Sequence, residues 1–182
     1  MGAIIKSSYK GYRFAAALIC GVKHNPLELL SRDSTEGGAA IQILRPDIVV
    51  SERHLVAAFA AAVASISAGY ARSKRVEMEF LLKLSAKRQI QDALRIAGLT
   101  GGEDTVIVAA ISPTREDPEP LVKKAAEILG GSIEPFRRVA SRERLMQIFE
   151  ISERKLGAVA KGENVDPLEL LIIEKVVSSY VE

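Results

Sequence analysis

The feature that most limits the possible folds is a change of hydrophobic period between residues 76 and 98. In Val76–Ser85 an apolar side chain recurs at every second position, which predicts a strand with one buried face. From Ile90 onward the spacing becomes that of a helix, and Gly98 follows where such a helix would end. Because Ser85 lies at the change, we expect it to be the N-cap of this helix. The helix positions predicted to face the core are Ile90, Ala93, Leu94 and Ala97.

The remaining segments mix strand and helix signals without strict alternation. Phe14–Val22 indicates a buried strand, and Thr105–Ile111 is apolar on both faces, as a central strand is. Ser51 and Gly69 bound a predicted alanine-rich helix, and a last helix is predicted over residues 166–181. We therefore predict an α+β protein, a single domain of residues 1–182 with a mixed, mostly antiparallel sheet covered by helices.

Charge is distributed unevenly along the chain, although the net charge is only +2. Residues 1–100 carry 14 Lys and Arg against 8 Asp and Glu, whereas residues 101–182 carry 11 against 15. The asymmetry is compatible with a polyanion on one side and a basic partner on the other, and also with a scatter of surface charge. The single cysteine, Cys20, excludes an internal disulfide and fits a reducing compartment, so we expect a cytoplasmic protein.

The N-terminus superficially resembles a secretory signal, because Lys6, Lys10 and Arg13 precede the apolar run Phe14–Val22. The run is short, and no convincing cleavage site follows it, so we interpret it as a buried strand. The alanine-rich helix predicted over residues 52–68 is too short and too charged at its start to span a membrane. No membrane association is therefore expected.

The sequence offers few candidates for catalysis. It has 2 histidines, no Cys/His cluster with metal-ligand spacing, and neither a Walker loop nor a G-x-G-x-x-G motif. Glu77 and Glu79 lie on one face of the predicted strand, but Lys83 on that face favours a solvated surface. We predict no catalytic residue, no metal and no cofactor. The alternative is a small enzyme or ligand sensor that uses Glu77, Glu79, Lys83 and His54.

Seven cations surround the change of period. A helix N-terminus near Ser85 would supply amide donors next to Lys and Arg, the combination that binds phosphate. Ten strand residues would hold Arg75 about 30 Å from Ser85, so that only a polymer could reach both ends. Arg88 and Arg95 are expected to share a helix face. The residues predicted to bind nucleic acid, called the basic set below, are Arg72, Lys74, Arg75, Lys83, Lys87, Arg88 and Arg95.

The last predicted helix is apolar over more than half of its circumference. A helix that covers one core needs an apolar stripe of only a little over 100°. We expect the surplus to be buried by a partner, and a second copy of this chain is one alternative. The residues predicted to contact the partner are Leu170, Ile173, Val177 and Tyr180.

The segments IQILRPDIVVSERHL, EMEFLLKLSAKRQIQDALRIAG and TVIVAA, within residues 41–111, are similar to the TPRKB family of KEOPS subunits, in particular its archaeal members. Ala86 departs from the family, whose members often have glycine after the serine. The most specific pattern comprises Glu79, Ser85, Arg88, Gln89, Ile90 and Ala93. A second spacing that supports the resemblance comprises Gln42, Asp47, Ser51 and His54.

The resemblance implies a non-catalytic subunit of the complex that makes threonylcarbamoyl-adenosine in tRNA. Such subunits bind a PRPK-type kinase/ATPase through its N-lobe, modulate it, and help to hold tRNA by its CCA end. Other KEOPS subunits would be indirect partners. Our own assignment gives the basic set to tRNA and the last helix to the kinase.

Overall fold

A five-stranded antiparallel sheet forms the centre of the protein. The computed structural model describes residues 3–31, 38–159 and 164–179. The strand order is β1-β2-β4-β3, and β5 pairs with the end of β2 beyond the reach of β1. The predictions of an α+β class and of a mostly antiparallel sheet are confirmed. The strands are β1 (Ile4–Tyr9), β2 (Tyr12–Cys20), β3 (Ala40–Leu44), β4 (Thr105–Ser112) and β5 (Ser132–Glu134).

Helices cover both faces of the sheet. A short 3-10 helix, Pro46–Ile48, leads from β3 toward α2, which begins after the predicted N-cap Ser51 and ends at Gly69. The helices of the first half are α1 (Pro26–Ser31), α2 (Glu52–Ala68), α3 (Val76–Ser85) and α4 (Ile90–Ala97). Those of the second half are α5 (Glu119–Leu129), α6 (Arg142–Phe149), α7 (Glu153–Ala158) and α8 (Pro167–Ser178).

The alternation of side chains along β2 divides the core into two parts. Phe14, Ala16 and Leu18 face the larger cluster, which α2, α3 and α8 complete. Ala15, Ala17 and Ile19 face a smaller cluster that α5 closes. Both faces of β2 and β4 are therefore buried, as their continuous apolar sequences require.

Three phenylalanines join the sheet to the helices of the larger cluster. The ring of Phe14 on β2 stacks on Phe59 of α2 with a centroid distance of 5.0 Å. The same ring lies 5.6 Å from Phe80 of α3 in a tilted arrangement. These contacts place α2 and α3 side by side on the sheet.

The prediction of a strand over Val76–Ser85 is wrong, because this segment is helix α3. It packs against α2, α4, α8, β3 and β4, so almost every side of it is buried. A helix that is buried all round does not show a one-sided apolar stripe. The residue types carried the missed signal, since Glu, Met, Leu and Lys favour helix and Val76 is the only β-branched residue of the ten.

Candidate functional site: the surfaces around α3, α4 and α8

The first three members of the basic set lie before α3. The side chains of Arg72, Lys74 and Arg75 are exposed, and the Nε of Arg75 donates to Glu77 Oε1 at 2.5 Å. The helical rise of 1.5 Å per residue places the two ends of α3 about 15 Å apart. The expected separation of about 30 Å was therefore wrong, and both basic groups are near enough to contact one short segment of a ligand.

Lys83 does not belong to the exposed part of the basic set. Its side chain is among the largest that are fully buried, and its Nζ lies 3.4 Å from Ser179 Oγ at the end of α8. Burial lowers the pKa of Lys83 to about 8, while the charge of Glu79 opposes and that of Arg72 adds to this effect. The predicted contact of Lys83 with nucleic acid lacks the exposed ammonium group that it requires.

The turn between α3 and α4 differs from the predicted strand-to-helix junction. Ser85 is the last residue of α3, and its hydroxyl donates to the carbonyl oxygen of Leu81 at 2.8 Å, so it does not cap α4. The N-cap of α4 is Gln89, whose side chain makes no capping hydrogen bond. Ala86 ends α3 in the left-handed conformation, with φ 52°. A glycine at this position would therefore suit the backbone itself, whether or not a ligand approaches.

Lys87, Arg88 and Arg95 differ in how far they are available to a ligand. The Nζ of Lys87 lies 3.4 Å from the carbonyl oxygen of Ile148 and 3.5 Å from Glu150 Oε1, which ties it to α6. Arg88 is exposed and precedes α4, so the expected shared helix face with Arg95 is wrong. Arg95 is also exposed and pairs with Asp92.

The sequence prediction that Ile90 and Leu94 face the core is also wrong. Only Ala93 and Ala97 are buried on α4, whereas Ile90 is 39% and Leu94 43% exposed. The small alanines allow α4 to lie close to its neighbours, and Ile90 and Leu94 then point to solvent. Arg88, Gln89 and Ile90 thus form three consecutive exposed positions at the start of α4.

The four residues of the enzyme alternative are all buried. Glu79 accepts backbone N–H bonds from Arg72 and Ser73 at 3.1 and 3.0 Å, which fixes the loop before α3. The Nε2 of His54 lies 2.9 Å from the carbonyl oxygen of Leu84 and joins α2 to the end of α3. Burial lowers the pKa of His54 to about 4. These groups hold helices together, and no exposed catalytic group remains among Glu77, Glu79, Lys83 and His54.

The two patterns that carry the family resemblance are thereby largely explained by the fold. Ser51 caps α2 by accepting from the N–H of His54 at 3.1 Å. Asp47 pairs with Arg45 and lies 3.4 Å from the Nε of Arg144, which connects the 3-10 helix to α6. Structural roles thus account for Asp47, Ser51, His54, Glu79 and Ser85. The exposed members, Arg88, Gln89 and Ile90, are the stronger candidates for contact with another molecule.

Helix α8 has two apolar faces. Leu168, Ile172 and Val176 are buried against α2 and the neighbouring helices. On the other side Leu170 is 43% and Val177 52% exposed, and Ile173 between them is partly exposed. We call Leu170, Ile173 and Val177 the outer stripe of α8. Tyr180, the fourth predicted contact, and the predicted end of the helix at residue 181 lie outside the described residues.

Residues 25–179 match the protein family described as "Kinase binding protein CGI-121". The chain belongs to this family. It is also similar to "Regulatory protein Cgi121" of Methanocaldococcus jannaschii, with 27% identity over 139 residues that cover 76% of this chain and 82% of that protein. The expected membership of the TPRKB family is confirmed.

The described part of the chain offers neither a metal cluster nor a membrane-spanning helix. No group of three or more His, Cys, Asp or Glu side chains is arranged to hold a metal ion in the ranges that the structure covers. Among the helices within those ranges, none combines the length and the apolarity needed to cross a bilayer.

Proposed function

We propose that this protein is a regulatory subunit that binds a PRPK-type kinase/ATPase within a KEOPS-type complex, and that it has no catalytic activity of its own. The observation that carries the proposal is the outer stripe of α8 in a chain of the CGI-121 family. Leu170, Ile173 and Val177 lie one or two turns apart on one side of a helix whose other side already serves the core. Such a stripe fits a partner that buries it as a helix face against a groove.

The proposal extends to tRNA, with the CCA end as the contacted part. The exposed cations Arg72, Lys74 and Arg75 precede α3, and Arg88 and Arg95 flank the start and end of α4. The two ends of α3, beside which these cations lie, are about 15 Å apart, a separation that suits successive phosphates of a single-stranded end. We omit Lys83 because of its burial and give Lys87 a minor role because of its contacts with α6.

The kinase part is tested by placing a charge on the outer stripe. Leu170→Glu and Ile173→Glu should weaken binding of the purified kinase by at least about tenfold, since each puts a carboxylate into an apolar contact. Leu27→Glu on α1 is the matched control, because Leu27 is 41% exposed and lies on the opposite side of the sheet. Isothermal titration calorimetry gives the affinities. Equal affinity of wild type, Leu170→Glu and Leu27→Glu would reject this assignment.

The tRNA part is tested separately by reversing charge at Arg88. Arg88→Glu should weaken binding of full-length tRNA and reduce its salt dependence, while kinase binding stays unchanged. Arg154→Glu on α7 makes the same charge change at another exposed position. If both variants bind tRNA alike, Arg88 makes no specific contact. Removal of the CCA end should abolish the difference between Arg88→Glu and wild type.

A homodimer is the second candidate that the outer stripe favours, because a second copy could bury the same side chains. Light scattering after size-exclusion chromatography distinguishes it from the kinase complex. A dimer that Leu170→Glu dissociates and that persists in the presence of the kinase would favour self-association. A monomer that enters a complex with the kinase favours the regulatory subunit.

A further inference from the structure

The β1–β2 hairpin ends in a tight two-residue turn. Tyr9 pairs with Tyr12 across the strands, and the turn residues Lys10 and Gly11 have φ values of 47° and 82°. Positive φ at both positions gives the turn a twist that matches the flanking strands. The directions of the side chains at the tip are therefore fixed by strand pairing.

An open cleft of about 520 Å³ lies at this tip. Lys10, Arg13 and Arg115 bring three cations to it, and no acidic side chain lines it. Arg13 lies on β2, and Arg115 lies in the loop after β4. Because Arg13 pairs with Ser112 at the end of β4, that loop begins beside Arg13. Two adjacent strands thus deliver two guanidinium groups to one concavity. Ser8, Tyr9, Gly11 and Tyr12 complete its lining.

The charges of this cleft are not neutralised by neighbouring carboxylates. Within the described ranges, no carboxylate lies at ion-pair distance from Arg13 or Arg115. Lys6, the ion-pair partner of Asp117 at 2.9 Å, lowers the pKa of that carboxylate most, and the charge of Arg13 contributes to the same shift. Glu119 likewise pairs with Lys6 and with Lys123. Guanidinium groups without an internal partner are suited to a bidentate contact with phosphate.

An aromatic ring lies beside these cations. Tyr9 is 39% exposed, and the Nζ of Lys10 is 5.6 Å from its ring centroid. An acidic peptide would use the cations but would not need the ring. A nucleotide uses both, because its phosphate pairs with the guanidinium groups while its base stacks on the ring.

We propose that the cleft formed by Tyr9, Lys10, Arg13 and Arg115 binds a single-stranded segment of RNA, with phosphate on the two arginines and a base on Tyr9. Arg13 alternates with Phe14, which packs against α2 and α3, so the Arg13 side chain points to the opposite face of the sheet from those helices. The lining of the cleft includes no member of the basic set. It is therefore a second RNA contact. This proposal rests on the proposed function in one respect, since both assume that the protein binds RNA.

The test uses a fluorescein-labelled single-stranded RNA of about 12 nucleotides and fluorescence anisotropy at several salt concentrations. The double variant Arg13→Ala/Arg115→Ala is compared with Arg142→Ala/Arg154→Ala, which removes the same two charges from exposed positions on α6 and α7. We expect the cleft variant alone to lower the salt slope by about 1.4, since each phosphate contact of a single strand contributes about 0.7. Equal slopes for the two double variants would overturn the proposal.

Tyr9 provides the second arm of the test. Tyr9→Ala should weaken RNA binding by about fivefold or more, whereas Tyr9→Phe should retain the wild-type affinity because its ring still stacks. Equal affinity of Tyr9→Ala and wild type, or absence of RNA binding by wild type, would overturn the proposal. So would binding of a poly-glutamate peptide that depends on Arg13 and Arg115 while RNA binding does not. Kinase binding, measured on the same variants, reports separately on the proposed function.

Discussion

The ammonium nitrogen of Lys83 lies 3.4 Å from the hydroxyl oxygen of Ser179, which links the last turn of α3 to the end of α8. Glu79 is one helical turn before Lys83 and is also buried. A lysine in this position faces the negative end of the α8 dipole, which favours its charge, while burial opposes it. The contact therefore connects α3, which is buried in the core, to α8, which carries the outer stripe.

The buried ammonium group gives a pH-dependent stability. Burial lowers the pKa of Lys83 from 10.5 to about 8. The unfolded chain therefore binds more protons between these pH values, so the free energy of unfolding should rise with pH in this window, by about 3 kcal/mol in total. Lys83→Met lacks this proton. The free energy of unfolding of wild type should thus rise relative to that of Lys83→Met from pH 8 to 10.5, as measured by urea unfolding.

Lys155→Met, on the exposed surface of α7, is the control for loss of a lysine. Its curve should run parallel to that of wild type over the same pH range. Parallel curves for Lys83→Met as well would mean that the Lys83 ammonium group is solvated, contrary to its buried position.

The left-handed residue Ala86 predicts a stabilising substitution. A non-glycine residue in this conformation costs about 1–2 kcal/mol, and glycine avoids most of that cost at the expense of backbone entropy. Ala86→Gly should therefore raise the free energy of unfolding by about 0.5–1 kcal/mol. Ala64→Gly, within the right-handed helix α2, should lower it by about 1 kcal/mol. Urea unfolding of both variants tests this, and destabilisation by Ala86→Gly would contradict the assigned backbone conformation.

The two faces of α8 predict opposite responses to truncation. Ile172→Ala removes a fully buried side chain and should cost about 2–5 kcal/mol of stability. Val177→Ala, at a position that is 52% exposed, should change stability by no more than about 0.5 kcal/mol. Urea unfolding of the isolated protein is the measurement. A large loss for Val177→Ala would mean that the outer stripe serves this chain's own fold instead of a partner.

Local signals predicted much of this fold from the sequence. Ser51 and Gly69 gave both ends of α2, because a capping hydroxyl and a left-handed glycine act within a few residues of the chain. The continuous apolar run of β4 predicts a central strand, as the structure has it. The outer stripe of α8 was expected because its apolar residues exceeded what one core could use.

The missed features depend on contacts between distant segments. The apolar side chains of α3 alternate as in a strand. They do not form the single stripe of an amphipathic helix, because neighbouring elements bury almost every side of α3. The burial of Lys83 depends on α8, which lies almost a hundred residues further along the chain. At the hairpin, the sequence indicates no ligand for Lys6, Lys10 and Arg13, which resemble only the start of a secretory signal. Arg115 joins Arg13 through strand pairing, which local sequence does not reveal.

His54 provides the clearest test of the contact between α2 and α3. Burial lowers its pKa from 6.5 to about 4, although the hydrogen bond to Leu84 opposes that shift. The unfolded chain binds more protons between pH 4 and 6.5, so the stability that is present above pH 6.5 should be lost as the pH falls through this window. The expected loss is about 3 kcal/mol. His54→Gln retains a donor for the carbonyl of Leu84 but does not titrate, so its stability should depend less on pH.

Urea unfolding at intervals between pH 4 and 7 would measure this difference directly. His24→Gln, which removes the exposed histidine, controls for the loss of a histidine as such. A His54→Gln profile that runs parallel to wild type would show that the imidazole titrates alike in the folded and unfolded chain. In that case water would reach the contact between α2 and the end of α3, and the buried hydrogen bond to Leu84 could not be what holds these helices together.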